Sequence, residues 1–235
     1  MGRLDAVTLE VIWNRMIASV DEAAKAIVRT SFSTLSNEAN DFACVLTDAE
    51  GQLLAQNSGS IPSFIGTLPA TVRHALNKFG RDGLHPGDVI CTNDPWLGTG
   101  HLNDCSIVRP IFRDSHLIAF AATASHMPDI GGRIRSVEAR EIFEEGFQIP
   151  LIKILRNGTE DKTFFELLRA QVRTPNQTEG DINALITANY LIEDRVLTML
   201  AEYGLDNLQA ISKELNDRTE IAMRSAIEKI TDGIY

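Results

Sequence analysis

The sequence has little that would mark a secreted, membrane-bound or nucleic-acid-binding protein. Its three cysteines form no C-x-x-C pair, which argues against a disulfide framework and against a thiolate zinc site. No apolar run reaches the roughly 18 residues that a membrane-spanning helix needs. Lys and Arg total 22 against 32 Asp and Glu, a net charge of −10, and an acidic chain repels nucleic-acid phosphates and anionic lipid. We therefore expect a cytoplasmic protein that binds neither nucleic acid nor membranes.

Common nucleotide and hydrolase motifs are missing as well. No G-x-x-x-x-G-K-[ST] sequence is present, so the chain has no P-loop. The pair Gly98-Thr-Gly100 lacks the third glycine of a dinucleotide fingerprint and does not open a helix. There is no G-x-S-x-G elbow for a nucleophilic serine. The chemistry must therefore be sought in other residues.

What is present is an ordinary globular composition in two contrasting halves. The chain has 235 residues, of which 44% are hydrophobic and 23% charged, enough for one or two domains with a real core. Strand patterns dominate residues 42–126 and helical patterns follow, which predicts an α+β fold. We divide it into an α+β region at 1–155 and a helical region at 156–235. The last residues resemble the start of another element, so we expect part of a longer chain.

Two antiparallel hairpins are predicted in the N-terminal half. The first joins Phe42–Thr47 to Gln52–Gln56 through a glycine-containing turn. The second joins Ser106–Phe112 to Leu117–Ala124, and Pro110 should then lie at an edge or a bulge because it cannot donate to a ladder.

Helices are predicted on both sides of these hairpins. An amphipathic helix reaches about residue 29, and a second helix starts near Pro69 and ends before Gly80. Thr163 and Glu166 have the spacing of a capping box, and a long helix is predicted from Asp181 to Tyr203. The apolar face of the last helix consists of Leu208, Ile211, Leu215, Ala222, Ala226 and Ile230.

A group of His and Asp residues lies where the second hairpin opens. If its turn is centred near positions 114 and 115, position 104 pairs with about 125, and 101 with about 128. His101, Asp104, His126 and Asp129 then gather at one end of the hairpin. Imidazole and carboxylate groups that meet in this way can hold a divalent metal. The alternative is that Asp, Asn and Gly are frequent there because such loops turn.

Two segments carry a resemblance to a known family. Asn93-Asp-Pro-Trp-Leu-Gly-Thr-Gly-His-Leu-Asn-Asp104 and His126-Met-Pro-Asp-Ile-Gly-Gly132 resemble motifs of the hydantoinase B family. That family includes B subunits of ATP-dependent hydantoinases, the matching half of 5-oxoprolinase and one component of acetone carboxylase. Its members are much longer, so the resemblance is to their N-terminal portion.

The resemblance implies a divided reaction. A hydantoinase A-type, ATP-binding subunit phosphorylates the carbonyl oxygen of a cyclic amide, and a metal-bound water on this chain opens the ring, with loss of phosphate. The expected assembly is a hetero-oligomer, and the absence of a P-loop fits ATP on the partner. The expected ligands of a divalent Zn or Mn are Asp41, His101, Asp104 and His126. The candidate catalytic carboxylate, or additional ligand, is Asp129. The candidate substrate-binding residues are Asn93, Asp94, Arg133 and Arg135.

Other functions stay open at this stage. The chain could serve an ATP-dependent ketone carboxylase, in which bicarbonate replaces water. It could be a non-catalytic assembly subunit whose His/Asp cluster is structural. A 2-His-1-carboxylate oxygenase is a weaker alternative because the usual H-x-D spacing is absent. Many family members carry a histidine where this chain has Phe64, which leaves the substrate open.

Overall fold

One antiparallel sheet forms the centre of the fold. The computed structural model describes residues 5–133 and 137–233, and within these ranges seven strands join in the order β2-β1-β5-β4-β3-β6-β7. The strands are β1 (Phe42–Asp48), β2 (Leu53–Gln56), β3 (Val89–Thr92), β4 (Asp104–Arg113), β5 (His116–His126), β6 (Ile152–Arg156) and β7 (Thr159–Glu160). Both predicted hairpins are confirmed, as β1–β2 and β4–β5. The pair β6–β7 was not predicted, and it extends the sheet beyond β3.

Helices cover both faces of this sheet. They are α1 (Ala6–Thr30), α2 (Thr34–Asn37), α3 (Pro62–Phe79), α4 (Ile142–Glu145), α5 (Lys162–Gln171), α6 (Pro175–Glu202) and α7 (Gln209–Ile227). Four of these, including the long α6, follow β5, so the predicted α+β class is confirmed. In the part of the chain that the structure describes, we find no helix with the length and apolarity needed to cross a bilayer. The division at residue 155 stays a prediction.

Because helices cover both faces of the sheet, its central strands are buried throughout. Along β1, Phe42, Cys44 and Leu46 belong to the core beneath α1 and α6. The alternate residues Ala43 and Val45 pack with α3 on the opposite face. Strands buried on both sides lose the apolar-polar alternation of a solvated sheet. The three cysteines are free and buried, and burial raises the pKa of the Cys44 thiol, as expected for inert thiols.

The register of the β4–β5 hairpin differs by one residue from the prediction. Its turn lies at Asp114 and Ser115, where predicted, with φ of 48° and 65°. An irregularity between Ile111 and Phe112 then shifts the pairing, so that Asp104 lies opposite His126 rather than residue 125. Pro110 immediately precedes this bulge, consistent with its predicted position.

Several helix ends correct the sequence predictions. The helix predicted from Pro69 begins at Pro62, and Pro69 lies inside it. Asp161, rather than the Thr163–Glu166 pair, caps α5 by accepting a hydrogen bond from the Phe164 amide, 3.2 Å away. Helix α6 begins at Pro175, six residues before the predicted Asp181. In each case an earlier proline or aspartate supplies the start.

The apolar face of α7 is buried only over its first half. Ile211 and Leu215 are buried, and Ser212 Oγ donates a 2.5 Å hydrogen bond to Asp48 Oδ2 at the far end of β1. Ala222 and Ala226, predicted as core, are exposed. The amphipathic pattern of α7 therefore continues beyond the point where the described residues pack against it.

Candidate metal centre

Three side chains meet at one end of the sheet. Nε2 of His101 lies 2.8 Å from Oδ2 of Asp104, and Nδ1 of His126 lies 3.0 Å from Oδ1 of the same carboxylate. One potential ligand atom from each residue lies within 4.8 Å of the other two. The two imidazole centroids are 5.1 Å apart. The predicted meeting of these three residues is therefore observed.

The pairing of β4 with β5 creates this geometry. Asp104 is the first residue of β4, His126 is the last of β5, and the shifted register places them directly opposite each other. Both lie in phase with Val108 and Ala122, which pack with α3, so the site is on the α3 side of the sheet. His101 reaches it from the loop before β4, and its side chain stays 44% exposed. The centre thus has two buried groups and one facing solvent.

The electrostatics of the cluster follow from its contacts. The hydrogen bond to Asp104 raises the pKa of His101, partly opposed by desolvation. Burial by itself would raise the pKa of Asp104, but hydrogen bonds from His101 and His126 outweigh it and lower that pKa to about 2. Asp104 is therefore an ionised carboxylate between two imidazoles.

This donor set suits a divalent cation. Two ring nitrogens point at the two oxygens of one carboxylate, so each close pair needs a shared proton or the group needs a shared cation. Imidazole nitrogen and carboxylate oxygen are common ligands of Zn²⁺ and Mn²⁺. Three protein ligands leave room for water or substrate, as catalytic sites require.

Asp41 and Glu145 lie around the cluster rather than within the three-residue group. The Asp41 carbonyl accepts hydrogen bonds from the His126 amide (3.1 Å) and from Ser125 Oγ (3.0 Å). After the bond to Asp104, the charges of Glu145 and Asp41 further raise the pKa of His101. Asp41 as a ligand stays a prediction. Glu145 is not among the residues predicted from the sequence, because nothing in its spacing indicates that α4 lies near His101.

Asp129, the fourth residue predicted to gather at this end of the hairpin, lies outside the three-residue group, where it is buried and held by the chain itself. Its Oδ1 accepts hydrogen bonds from the Gly131 amide at 2.8 Å and from Arg173 Nη1 at 3.0 Å. Its Oδ2 accepts from the backbone amides of Arg173 and Thr174, immediately before α6. The carboxylate thus fastens the loop after β5 to the start of α6. Its predicted catalytic role stays a prediction.

The two predicted substrate residues before β4 also make internal contacts. Asn93 is buried, and its amide donates to Leu102 O (2.8 Å) and Phe147 O (2.9 Å) while accepting from the Ile149 amide (2.6 Å). Oδ1 of Asp94 accepts a hydrogen bond from the Trp96 amide at 2.9 Å. These bonds shape the loop that carries His101. Substrate contact by Asn93 or Asp94 stays a prediction.

Of the two predicted arginines, the structure describes Arg133, which lies on the loop after β5. Arg133 is exposed, and its guanidinium nitrogens lie 3.8 Å from carboxylate oxygens of Glu138 and Glu144. Arg135 lies outside the described residues. Phe64 is buried with the α3-side core, on the sheet face that carries the metal centre.

Comparisons with known proteins agree on one family. The family model described as hydantoinase B/oxoprolinase matches residues 5–235. The putative B subunit of the D-/L-hydantoinase of Pseudomonas sp. (strain NS671) is 32% identical over 241 residues, covering 100% of this chain and 41% of that protein. The beta subunit of the caprolactamase of Pseudomonas jessenii is 30% identical over 238 residues, with 100% and 41% covered. The chain belongs to the hydantoinase B/oxoprolinase family.

Solved structures show the same fold. The crystal structure of the ATP-dependent caprolactamase from Pseudomonas jessenii superposes with a TM-score of 0.91 at 30% identity, over 99% of this chain and 40% of that one. The nucleotide-free structure of acetone carboxylase gives 0.74 at 22% identity, over 87% and 27%, a likeness in fold alone. The chain spans about two fifths of the length of the two hydantoinase and caprolactamase relatives.

Proposed function

We propose that this chain carries the metal centre of a B-type subunit that opens a cyclic amide after an ATP-binding partner has phosphorylated its carbonyl oxygen. The observation that carries the proposal is the preformed group of His101, Asp104 and His126 in a chain of the hydantoinase B/oxoprolinase family. The names of its relatives, the B subunit of a hydantoinase and the beta subunit of a caprolactamase, support cyclic amides as the substrate class.

The reaction needs activation from both sides. An amide carbonyl is a weak electrophile, and O-phosphorylation makes its carbon more reactive and supplies phosphate as a leaving group. A bound Zn²⁺ or Mn²⁺ would supply positive charge and lower the pKa of water toward neutrality. One water adds to the carbon, and the ring C–N bond breaks as the nitrogen takes up a proton, which leaves an acyl phosphate. A second water hydrolyses the acyl phosphate to the carboxylic acid and releases phosphate.

The residues of the cluster differ in whether they hold the cation or border the path of the substrate. His126 and Asp104 are buried and fixed by the strand pairing, so they define the position of the cation. His101 is the exposed member and borders the face from which substrate must approach. Asp129 supports the loop after His126 by tying it to the start of α6. Asp41 and Glu145 add negative charge near His101, which favours the binding of a cation there.

Reconstitution with an A-type ATP-binding subunit tests this function. Hydantoin, 5-oxoproline and caprolactam are offered separately with ATP, and ADP, phosphate and the ring-opened acid are measured. We expect His101→Ala to abolish ring opening. His116→Ala is the matched control, because His116 lies at the opposite end of the same hairpin and is exposed.

Other outcomes distinguish the competing functions. Carboxylation of acetone with bicarbonate, without ring opening of any cyclic amide, would favour the ketone carboxylase. Full activity in both His101→Ala and Asp104→Asn would make the cluster structural and would contradict the proposal.

A further inference from the structure

A large aromatic side chain projects from the loop that carries His101. Trp96 is 87% exposed. Its loop is nevertheless firmly held, because the Trp96 amide donates to Asp94 Oδ1 (2.9 Å) and the Gly98 amide donates to Asp94 O (2.8 Å). On the other side of the tryptophan, Leu97 O accepts a 2.7 Å hydrogen bond from Thr71 Oγ1 of α3. The indole is therefore held outward by an ordered backbone.

A second exposed aromatic lies on a neighbouring segment. Phe143 of α4 is 80% exposed. The residues after α4 are bound to the Trp96 loop, since Asn93 bonds to Phe147 O and to the Ile149 amide, and Gln148 Nε2 lies 3.5 Å from Asp94 Oδ2. Trp96 and Phe143 thus project from two joined segments beside His101. We call this pair the rim patch.

The exposure of the rim patch favours a macromolecular partner. An aromatic that lines a small-molecule pocket is largely enclosed by it, whereas Trp96 has nearly all of its surface in solvent. Tryptophan is also among the residues that contribute most to protein interfaces when covered. Because its loop is already ordered, covering it costs little additional conformational entropy.

We propose that the rim patch is the docking surface for the ATP-binding partner subunit, which rests on the function proposed above. A phosphorylated amide is prone to hydrolysis, so the site that makes it must open directly onto the site that uses it. The partner must then contact the residues that surround the metal centre. The two Pseudomonas relatives are named as the B and the beta subunit of their enzymes and are thus components of larger assemblies, as this arrangement requires.

Charge and access specify the contact further. The segment around Phe143 carries Glu138, Glu141, Glu144 and Glu145 against Arg140. It stays net acidic even though Arg133 lies 3.8 Å from both Glu138 and Glu144. The complementary surface is therefore an apolar pocket bordered by Lys or Arg side chains. A second copy of this chain fits less well, because symmetric pairing through the rim patch would bring two acidic segments together and make the two metal centres face each other.

Tryptophan fluorescence and steady-state kinetics test the docking. The chain has two tryptophans, so Trp13→Phe leaves Trp96 as the single reporter. On addition of the A-type subunit we expect a blue shift of its emission and protection from acrylamide. Trp96→Ala and Phe143→Ser should each weaken binding at least tenfold. Metal content and kcat at saturating partner should stay unchanged. Ile221→Ser, on exposed α7, is the matched control and should bind normally.

The contradicting results are separate from those that would refute the function. If wild type binds the A-type subunit and opens the ring, while both rim variants bind equally well, the docking surface is wrong and the function stands. Trp96→Ala that raises the KM for the cyclic amide with unchanged partner affinity would assign the indole to substrate and overturn the docking. A blue shift that depends on the concentration of this chain alone would identify a second copy and overturn it too. A wild-type chain that neither binds nor reacts with the A-type subunit would refute the proposed function itself.

Discussion

Adding Zn²⁺ or Mn²⁺ to metal-free protein is expected to raise its melting temperature. The three ligand atoms already lie within 4.8 Å of one another, whereas unfolding separates residues 101 and 126 along the chain, so the metal binds the folded state preferentially. A ligand present at about 100 times its dissociation constant stabilises the folded state by about 2.7 kcal/mol. For a domain of this size each kcal/mol raises the melting temperature by about 2–4 °C, so the expected increase is about 5–11 °C.

Chelator-treated protein in a calorimeter, with and without metal, provides the assay. Without metal, His101→Ala should melt a few degrees below wild type, because it removes one of the two imidazole hydrogen bonds that stabilise the buried Asp104 carboxylate, and it should lose the metal-dependent increase. His116→Ala should retain it. Because the hydrogen bond to Asp104 raises the pKa of His101, protons compete with the metal, and the increase should shrink as the pH falls. An equal increase in His101→Ala and wild type, or none in wild type with either metal, would refute the reasoning.

Three further predictions concern the stability of the folded chain. Because the pKa of Asp104 is lowered from 3.8 to about 2 in the folded state, its ionised form stabilises the fold by about 2 kcal/mol above about pH 5, and this stabilisation is lost as the pH falls through about 2. In urea unfolding, the stability difference between wild type and Asp104→Asn should shrink over that pH range, and a constant difference would contradict the prediction. Lys153→Met should cost about 3–5 kcal/mol by leaving buried Asp88 without its 2.5 Å ion pair, whereas exposed Lys213→Met should cost less than about 1 kcal/mol; equal losses would refute the difference. Gly132→Ala, at φ 56°, places a Cβ 2.5 Å from the backbone at the end of α4, so it should cost roughly 2 kcal/mol or more in the same assay and lower metal affinity; wild-type behaviour would show that the loop adapts.

Local signals were sufficient for the hairpins and nearly sufficient for the site. The turn at Asp114 and Ser115 is encoded by a short polar stretch between two apolar runs, and its position predicts which strand ends meet. The bulge at Ile111 and Phe112 cannot be predicted from the sequence, because both residues are ordinary strand formers and the shift in register depends on packing. The prediction therefore placed Asp104 one residue from its true partner, His126.

Contacts between distant segments could not be read from the sequence. The strand Ile152–Arg156 is short and contains a lysine, so its place beside β3 depends on the buried pair of Lys153 and Asp88. The proximity of Glu145 to His101 likewise depends on how the loop after β5 folds back. Periodicity identified α7 correctly as amphipathic, but it contains no information about where the supporting surface ends.

The bulge in the β4–β5 hairpin divides it into two parts with different tolerance to changes in length. On the turn side of the bulge, residues 113–116 form the tip of the hairpin, and insertions there would not change the number of residues between the bulge and the strand ends. On the side of the bulge away from the turn, the pairing is continuous from Ile111 opposite Ala119 to Asp104 opposite His126. Removing one residue from an inner arm would turn the side chains beyond the deletion to the other side of the sheet. A deletion in β4 would place Ser125 opposite Asp104, and a deletion in β5 would place Met127 there. A chimeric chain should therefore tolerate grafting or shortening at the outer end of the hairpin, whereas a change of length along its inner part should separate Asp104 from His126.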